Sequence, residues 1–220
     1  MAIQVNHLKK TALVSGGSHG IGLAIVEKLL ADGYAVAVNA RDHQRLQSIV
    51  NSRADTIAVV GDVSDPDQAL QVLEQVRANF GQLNLLVCNV GSGSSVPPGE
   101  ESYEEWLRVL GINFFSVTNL VEAAKEMLVS SGGNIVCISS ICGLEVIPGA
   151  PVTYSVAKAA LNAFVKGIAR PLGKEGVRIN AIAPGNIYFE GSVWHKKSNE
   201  DETQVNAMLG REVSLRRLGR

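Results

Sequence analysis

The sequence is poor in aromatic residues, in cysteine and in net charge, and these shortages exclude several classes of function. Aromatic side chains make up 5% of the 220 residues and the formal net charge is −1, so neither a base-stacking platform nor a cationic nucleic-acid surface is indicated. No apolar run reaches the roughly 18 residues that a membrane span requires, and Met1–Lys10 lacks the apolar core of a signal peptide. We therefore expect a cytoplasmic protein with no nucleic-acid or membrane partner.

The cysteines also exclude a disulfide framework. Cys88, Cys137 and Cys142 form no CxxC pair, and the first two fall near the ends of predicted buried strands, where a thiol commonly acts as a small apolar side chain. No cluster of His, Asp and Glu has metal-ligand spacing, so we expect no metal site.

The sequence does contain a regular alternation of apolar strands and amphipathic helices. Strand segments without polar alternation are typical of strands covered on both faces. Their alternation with helices predicts an α/β fold, a Rossmann-type doubly wound parallel sheet in a single domain, 1–220. Strands are predicted at 11–15, 35–39, 56–61, 83–88, 134–138 and 177–182. The longest helices are predicted at 102–129 and at 152–172, the latter ending at Gly173.

A glycine-rich loop, Ser15–Gly22, separates the first strand from the first helix. Glycines let the backbone approach a pyrophosphate, and the helix N-terminus supplies free N–H groups. The spacing differs from the commoner G-x-G-x-x-G, and such loops can also serve packing alone. The position between strand and helix favours dinucleotide binding, with contacts predicted from Gly16, Ser18, His19, Gly20 and Ile21.

The end of the second strand indicates which dinucleotide binds. An acidic residue there would hold the ribose of NAD, whereas Arg41 offers a planar cation suited to the 2′-phosphate of NADP(H). His19 could add a second donor. Asp42 is the competing acidic group, but it is also the expected cap of the next helix. We predict NADP(H); a solvated surface charge is the alternative interpretation of Arg41.

Tyr154 and Lys158 are one helical turn apart and share a helix face. A phenol with an ordinary pKa of about 10 exchanges its proton poorly near neutrality, and a neighbouring ammonium lowers that pKa. Tyr154 is therefore a candidate general acid for a forming alkoxide, or base for the reverse reaction. Ser140 follows the fifth strand and could donate to a carbonyl oxygen, although serine in such loops often serves turn chemistry only.

Together these segments resemble the short-chain dehydrogenase/reductase family. The matching motifs occur in order over nearly the whole chain: the glycine loop, Gly61-Asp-Val63, Cys88-Asn-Val-Gly91, Asn113, Ser139–Gly143, Tyr154-x3-Lys158 and Arg178–Gly185. The resemblance implies that Tyr154 is the acid/base, that Ser140 orients the carbonyl, that Lys158 binds the nicotinamide ribose and that Asn113 holds a relay water. A structural polar residue inside the helix is the alternative for Asn113. Further cofactor contacts are implied for Asp62, Val63, Asn89, Gly91, Tyr154, Lys158, Pro184, Gly185 and Ile187.

The chain departs from the family pattern at several points. Ser15 replaces threonine, Cys88-Asn-Val-Gly91 replaces Asn-Asn-Ala-Gly, and Tyr188-Phe189 stands where many members carry a cofactor-binding threonine. The sequence also ends where the family continues with a further helix and a seventh strand, so it is either truncated or a variant that lacks the sheet's last strand. We expect this ending to leave the sixth strand as an exposed edge.

The resemblance implies a reductase or dehydrogenase acting on a small carbonyl or alcohol substrate. A 3-oxoacyl-carrier-protein-type reductase is the leading hypothesis; a sugar or polyol dehydrogenase and a non-catalytic NADP-binding regulatory protein are the alternatives. A substrate lid is predicted at about 186–207, where Lys196 and Lys197 could attract a carrier-bound or anionic substrate or could simply be solvated. A homodimer or homotetramer that pairs through the two long helices is expected.

Overall fold

A six-stranded parallel sheet forms the centre of the computed structural model, which describes residues 9–220. The order across the sheet is β3-β2-β1-β4-β5-β6, so the chain reverses its winding direction between β1 and β4. This confirms the predicted doubly wound Rossmann-type fold. The N-terminal segment Met1–Lys10, for which no signal peptide is predicted, lies outside the described residues over 1–8. The strands are β1 Thr11–Ser15, β2 Ala35–Ala40, β3 Thr56–Val60, β4 Leu85–Cys88, β5 Asn134–Ile138 and β6 Arg178–Ile182.

Helices connect the strands and pack on both faces of the sheet. Asp42 and Asp65 begin two of them by accepting hydrogen bonds from the backbone N–H groups of Arg45 and Gln68, as expected for side-chain caps. Over residues 9–220, none of the helices combines the length and the apolar character needed to cross a membrane. The α-helices are α1 Gly20–Ala31, α2 His43–Val50, α3 Pro66–Phe80, α4 Tyr103–Leu110, α5 Ser116–Ser131, α6 Val152–Lys174, α7 Val193–Glu200 and α8 Glu202–Glu212.

The predicted continuous helix over 102–129 is interrupted by a wider turn. Residues Gly111–Phe115 form a π-helical turn between α4 and α5, a feature that is frequent at functional sites. Asn113 lies in this turn and faces a neighbouring loop. The predicted end of the other long helix is also wrong, because α6 continues to Lys174 and the chain turns at Gly176, where φ is +79°.

The core consists of two apolar layers, one on each face of the sheet. Leu13 and Ala37 pack with buried side chains of α3, α5 and α6, whereas Val14 and Val38 pack with α1 and α2. Neighbouring strand residues therefore point to opposite layers. The prediction of strands covered on both faces holds for β1 and β2, which are buried over almost their whole length.

Strand β6 is an exception to this coverage. Within β6 only Ile179 is buried, and Ile182 is 54% exposed. Within residues 9–220, β6 pairs only with β5 and forms one edge of the sheet. The exposed edge agrees with the prediction for the sixth strand, whereas the prediction of burial on both faces is wrong for β6.

Candidate active site

The glycine loop lies at the carboxyl end of β1, and its backbone needs glycine at particular positions. Gly16 and Gly20 have φ values of +62° and +52°, in the left-handed region that favours glycine. A Cβ on Gly22 would lie 2.2 Å from the carbonyl oxygen of Gly16. The loop therefore folds back on the first turn of α1 so closely that no side chain fits between them.

The N-terminus of α1 has no side-chain cap. His19 occupies the cap position without accepting a hydrogen bond there, whereas α2, α3, α4 and α7 all begin with a side-chain cap. Free N–H groups and the positive end of the helix dipole are thus available for an anion. This observation fits a dinucleotide pyrophosphate, and it is consistent with the predicted contacts of Ser18, Gly20 and Ile21.

Asn89 fixes the glycine loop from the end of β4. Its Nδ2 donates to the carbonyl oxygens of Ser15 and Gly16, both at 3.1 Å. The Ser15 hydroxyl accepts from the Asn89 backbone N–H at 2.9 Å. The serine that replaces threonine therefore keeps a structural hydrogen bond, and the Asn89 amide holds the loop that the dinucleotide would contact.

A group of basic side chains lies beside this loop, at the end of β2. Arg41 Nη1 is 3.6 Å from Asp62 Oδ2, and Arg45 Nε donates to the Ser18 carbonyl oxygen at 3.1 Å. Burial and the neighbouring Arg45 charge lower the pKa of His19, so the ring is a neutral donor or acceptor at physiological pH. Sequence reasoning missed Arg45, although its place in the first turn after the Asp42 cap could have indicated it.

Asp62 and Val63 follow β3 as predicted, and both are structurally constrained. Burial opposes ionisation of Asp62, but hydrogen bonds from Ser64 at 2.6 and 3.0 Å hold its pKa below the ordinary value. Val63 is buried against the α3–α5 layer. An ionised Asp62 balances Arg41, so the charge near the predicted 2′-phosphate site is partly neutralised in the cofactor-free chain.

The segment after β6 contacts the loop that carries Ser140. The Pro184 carbonyl oxygen accepts from the Ile141 N–H at 3.2 Å, and a Cβ on Gly185 would lie 4.0 Å from the Ile141 side chain. Ile187 is farther along and pairs with Gly219 in an isolated parallel bridge. These contacts place Pro184 and Gly185 beside the Ser140 loop, whereas the contact of Ile187 is with Gly219.

Helix α6 carries Tyr154 and Lys158 next to the end of β5. The Lys158 Nζ lies 5.9 Å from the centre of the Tyr154 ring and donates to the Ile138 carbonyl oxygen at 2.8 Å. The lysine is only 3% exposed, and burial lowers its pKa to about 8. The structure therefore joins α6 to the end of β5 through a buried amine.

The predicted lowering of the Tyr154 pKa is wrong. Burial raises the pKa of Tyr154, and the nearby Cys142 thiol adds to this, whereas hydrogen bonding to Ser140 opposes it. The Lys158 amine interacts with the ring face and with a carbonyl oxygen, not with the phenolic oxygen. Tyr154 is accordingly a protonated phenol, the form required of a general acid.

The Ser140 hydroxyl accepts a backbone hydrogen bond and directs its proton toward Tyr154. Its Oγ accepts from the Cys142 N–H at 3.2 Å, which uses an acceptor position and leaves the proton for another partner. The loop is pinned to α6 because Asn162 accepts from the Ser139 hydroxyl at 2.7 Å and donates to the Gly143 carbonyl oxygen at 3.1 Å.

Asn113 and Gly91 complete the group. The Asn113 Oδ1 accepts from the Ser92 N–H at 2.9 Å, and its Nδ2 donates to the carbonyl oxygens of Ser92 and Val109 at 3.1 Å. A Cβ on Gly91 would lie 3.0 Å from Asn113 Oδ1 and 3.1 Å from Lys158 Nζ. Asn113 and Lys158 thus both lie so close to Gly91 that a side chain there would displace one of them by a few tenths of an ångström.

The comparisons with known proteins agree with this arrangement. A family model described as short chain dehydrogenase matches residues 10–202. The chain belongs to the short-chain dehydrogenase family. It is 35% identical over 184 residues to a tropinone reductase homologue of Arabidopsis thaliana, which covers 81% of this chain and 69% of the relative. It is 33% identical over 186 residues to a 3-oxoacyl-[acyl-carrier-protein] reductase of Staphylococcus aureus, covering 82% and 75%.

Solved structures of short-chain dehydrogenases superpose on most of the chain. An NADPH-bound short-chain oxidoreductase from Pseudomonas aeruginosa, described as having an atypical catalytic centre, gives a TM-score of 0.87 at 35% identity and covers 96% of this chain and 84% of that one. The L-sorbose reductase of Gluconobacter frateurii, solved with NADPH and L-sorbose, gives 0.89 at 28% identity, with 96% and 84% coverage. The family assignment makes this chain an oxidoreductase of the short-chain dehydrogenase type.

Proposed function

We propose that this chain is an NADP(H)-dependent oxidoreductase that interconverts a carbonyl and an alcohol, with Tyr154 as the general acid or base. The observation that carries the proposal is the half-buried Tyr154 phenol, which bonds the Ser140 hydroxyl and whose ring centre lies 5.9 Å from the buried Lys158 amine. This group faces a glycine loop with an uncapped helix N-terminus. NADP-bound neighbours of the same fold support the choice of cofactor.

The residues of the chain divide the work among themselves. The cofactor, when bound, supplies or accepts the hydride. Ser140 donates a hydrogen bond to the substrate oxygen and orients it, and Tyr154 transfers its proton to that oxygen as negative charge develops there. Lys158 stabilises the phenolate that remains, and Asn113 positions the water that resupplies the proton. In the oxidative direction the same groups accept the proton.

The proposed cofactor contacts follow the order of the motifs along the chain. The glycine loop and α1 hold the pyrophosphate. Arg41 holds the 2′-phosphate, with Arg45 as an additional cation. Asp62 and Val63 border the adenine, Asn89 and Gly91 the adjoining ribose, and Pro184, Gly185 and Ile187 the nicotinamide side.

We propose a substrate with an apolar portion, as in a 3-oxoacyl compound. Leu144 and Val146 follow the Ser140 loop and are 63% and 95% exposed, so they offer an apolar surface next to the reacting group. A sugar or polyol would leave this apolar surface exposed to water. The similarity to L-sorbose reductase supports such a substrate as a second candidate. The predicted lid consists largely of α7 and α8, where Lys197 packs over the Trp194 ring at 5.2 Å.

The proposal is tested by Tyr154→Phe. We expect turnover of carbonyl substrates with NADPH to fall by about two to four orders of magnitude, as for loss of a general acid, while NADPH binding measured by nucleotide fluorescence persists. Tyr103→Phe is a matched control, because that ring is 70% exposed on α4. Retained turnover in the Tyr154 variant contradicts the acid/base assignment. Loss of binding in both variants points instead to a folding defect.

We further propose a cytoplasmic homo-oligomer. The three cysteines are free thiols, including the register neighbours Cys88 and Cys137, in keeping with a reducing compartment. Exposed apolar side chains on α4 and α6 support pairing through these helices: Leu107, Val152 and Val156. Val156→Glu should then reduce the mass found by sedimentation, and an unchanged mass would contradict this interface.

A further inference from the structure

The ring of Phe189 lies directly on the glycine loop. A Cβ placed on Gly20 would be 2.5 and 2.6 Å from the Cε2 and Cζ atoms of this ring. The ring centre is also 6.5 Å from that of His19, in an edge-on arrangement. The aromatic ring thus covers the first residue of α1, whose N–H groups have no side-chain cap.

A short turn holds the ring in this place. The Phe189 N–H donates to the Ser192 Oγ at 3.3 Å, and the Ser192 N–H donates to the Phe189 carbonyl oxygen at 2.9 Å. Ser192 is 6% exposed and also caps α7 by accepting from the His195 N–H at 3.0 Å. The turn includes Gly191, with φ of +83°. These bonds tie the backbone of Phe189 to the first turn of α7.

A pyrophosphate held by the N-terminus of α1 would approach the residue that the ring covers. The helix N-terminus attracts an anion through free N–H groups and a positive dipole end, and a phenyl ring can neither donate to the phosphate oxygens nor replace their solvation. We propose that Phe189 competes with the dinucleotide for the N-terminus of α1, so that this residue sets the affinity of the cofactor site. The inference rests on the proposed function only in taking the cofactor to be a dinucleotide.

The competition has a distinctive signature. Molecules with the ring on Gly20 cannot bind the dinucleotide. The apparent affinity is therefore the intrinsic affinity multiplied by the fraction of molecules whose ring lies elsewhere. Because the pyrophosphate is common to NADPH and NADH, the ring weakens both nucleotides by the same factor. Arg41 and Arg45 would instead discriminate between the two, because only NADPH carries the 2′-phosphate.

The test is a graded series, Phe189→Leu and Phe189→Ala, in the full chain. We expect the Kd values of NADPH and of NADH, measured by nucleotide fluorescence, to fall by about three- to tenfold in the alanine variant and by less in the leucine variant. The ratio of the two Kd values should not change. Val193→Ala is the matched control, because this side chain lies in the same segment and is 46% exposed.

A second measurement does not depend on activity. Hydrogen exchange of α7 in the cofactor-free chain should be faster in Phe189→Ala than in the wild type and than in Val193→Ala. Unchanged or weaker nucleotide binding in Phe189→Ala would overturn the inference, since the ring would then be neutral or a stabilising contact for the cofactor. If the wild-type chain and every variant bind neither nucleotide, the proposed function fails first, and the inference fails with it.

Discussion

The hydroxyl oxygens of Ser95 and Thr153 lie 2.7 Å apart, and Ser95 Oγ also lies 2.6 Å from Glu105 Oε1. Arg108 binds the same carboxylate through two nitrogens, at 2.6 and 2.7 Å. These hydrogen bonds from Arg108 and Ser95 lower the pKa of Glu105 to about 2. Because the carboxylate accepts the Ser95 proton, Thr153 must donate to Ser95. These linked hydrogen bonds fix Thr153, the residue before Tyr154.

Thr153→Val should disturb the site without disturbing the core. Valine keeps the shape of this fully buried residue but cannot donate to Ser95, so the start of α6 is less well fixed. We expect kcat to fall roughly three- to tenfold, in line with the loss of one net hydrogen bond, with a shift of the alkaline limb of the pH–rate profile and little change in KM. Thr153→Ser restores the donor and should restore the rate. Equal losses in both variants would indicate a packing effect.

Arg41→Ala and Arg45→Ala should each weaken NADPH more than NADH. Only NADPH carries the 2′-phosphate, and a charge-assisted hydrogen bond to it contributes about 1.5–3 kcal/mol, or roughly ten- to a hundredfold in Kd. Arg53→Ala is the control, because Arg53 pairs with Glu27 at 2.7 Å on α1. Titrations of all three variants with both nucleotides test this. Equal weakening of NADPH and NADH would remove the argument for NADP(H).

Lys158 should make the free energy of unfolding depend on pH. Burial lowers its pKa from 10.5 to about 8, so the folded chain holds fewer protons than the unfolded chain between these values. The free energy of unfolding therefore rises with pH between about 8 and 10.5. Below pH 8 the folded chain carries the full cost of burying the charged ammonium. From pH 7 to pH 9 we expect a gain of about 1 kcal/mol, measured by urea unfolding of the cofactor-free chain.

Lys158→Met is the comparison for this pH dependence, because methionine fills similar space without a charge. Its free energy of unfolding should lack the rise between pH 7 and pH 9. Measurements stop at pH 9 because the pKa of Cys88 is raised well above 9.0, chiefly by its hydrogen bond with Cys137, and this lowers stability at higher pH. A rise of the same size in wild type and variant would show that another group is responsible.

Gly91→Ala should displace the Asn113 or the Lys158 side chain. The added Cβ would lie 3.0 Å from Asn113 Oδ1 and 3.1 Å from Lys158 Nζ, so one or both must move. A misplacement of this kind can cost up to about a hundredfold in rate, and we expect kcat/KM to fall about ten- to a hundredfold. Gly167→Ala is the control. Gly167 lies on α6 and nothing is within 4 Å of the added Cβ, so the rate should not change. A fully active Gly91→Ala variant would contradict the geometry.

Much of the site could be predicted because motif order and strand ends fix its position. The glycine loop, Tyr154, Lys158 and Ser140 all fall where parallel strands deliver their loops to one edge. Arg45 and Thr153 could not be found in the same way, since their contacts with Ser18 and Ser95 join residues 27 and 58 positions apart. The raised pKa of Tyr154 was also beyond a spacing argument, because burial depends on the whole cleft.

The sequence by itself determined the alternation of strands and helices, the sheet they form and the shared face of Tyr154 and Lys158, because these follow from local periodicity and chain direction. Only the tertiary structure decided that the Lys158 amine binds a backbone oxygen and that Phe189 covers Gly20. It also decided that Asn113 lies in a π-helical turn. Such features depend on which distant groups compete for the same space and the same hydrogen bonds, and local sequence does not encode that competition.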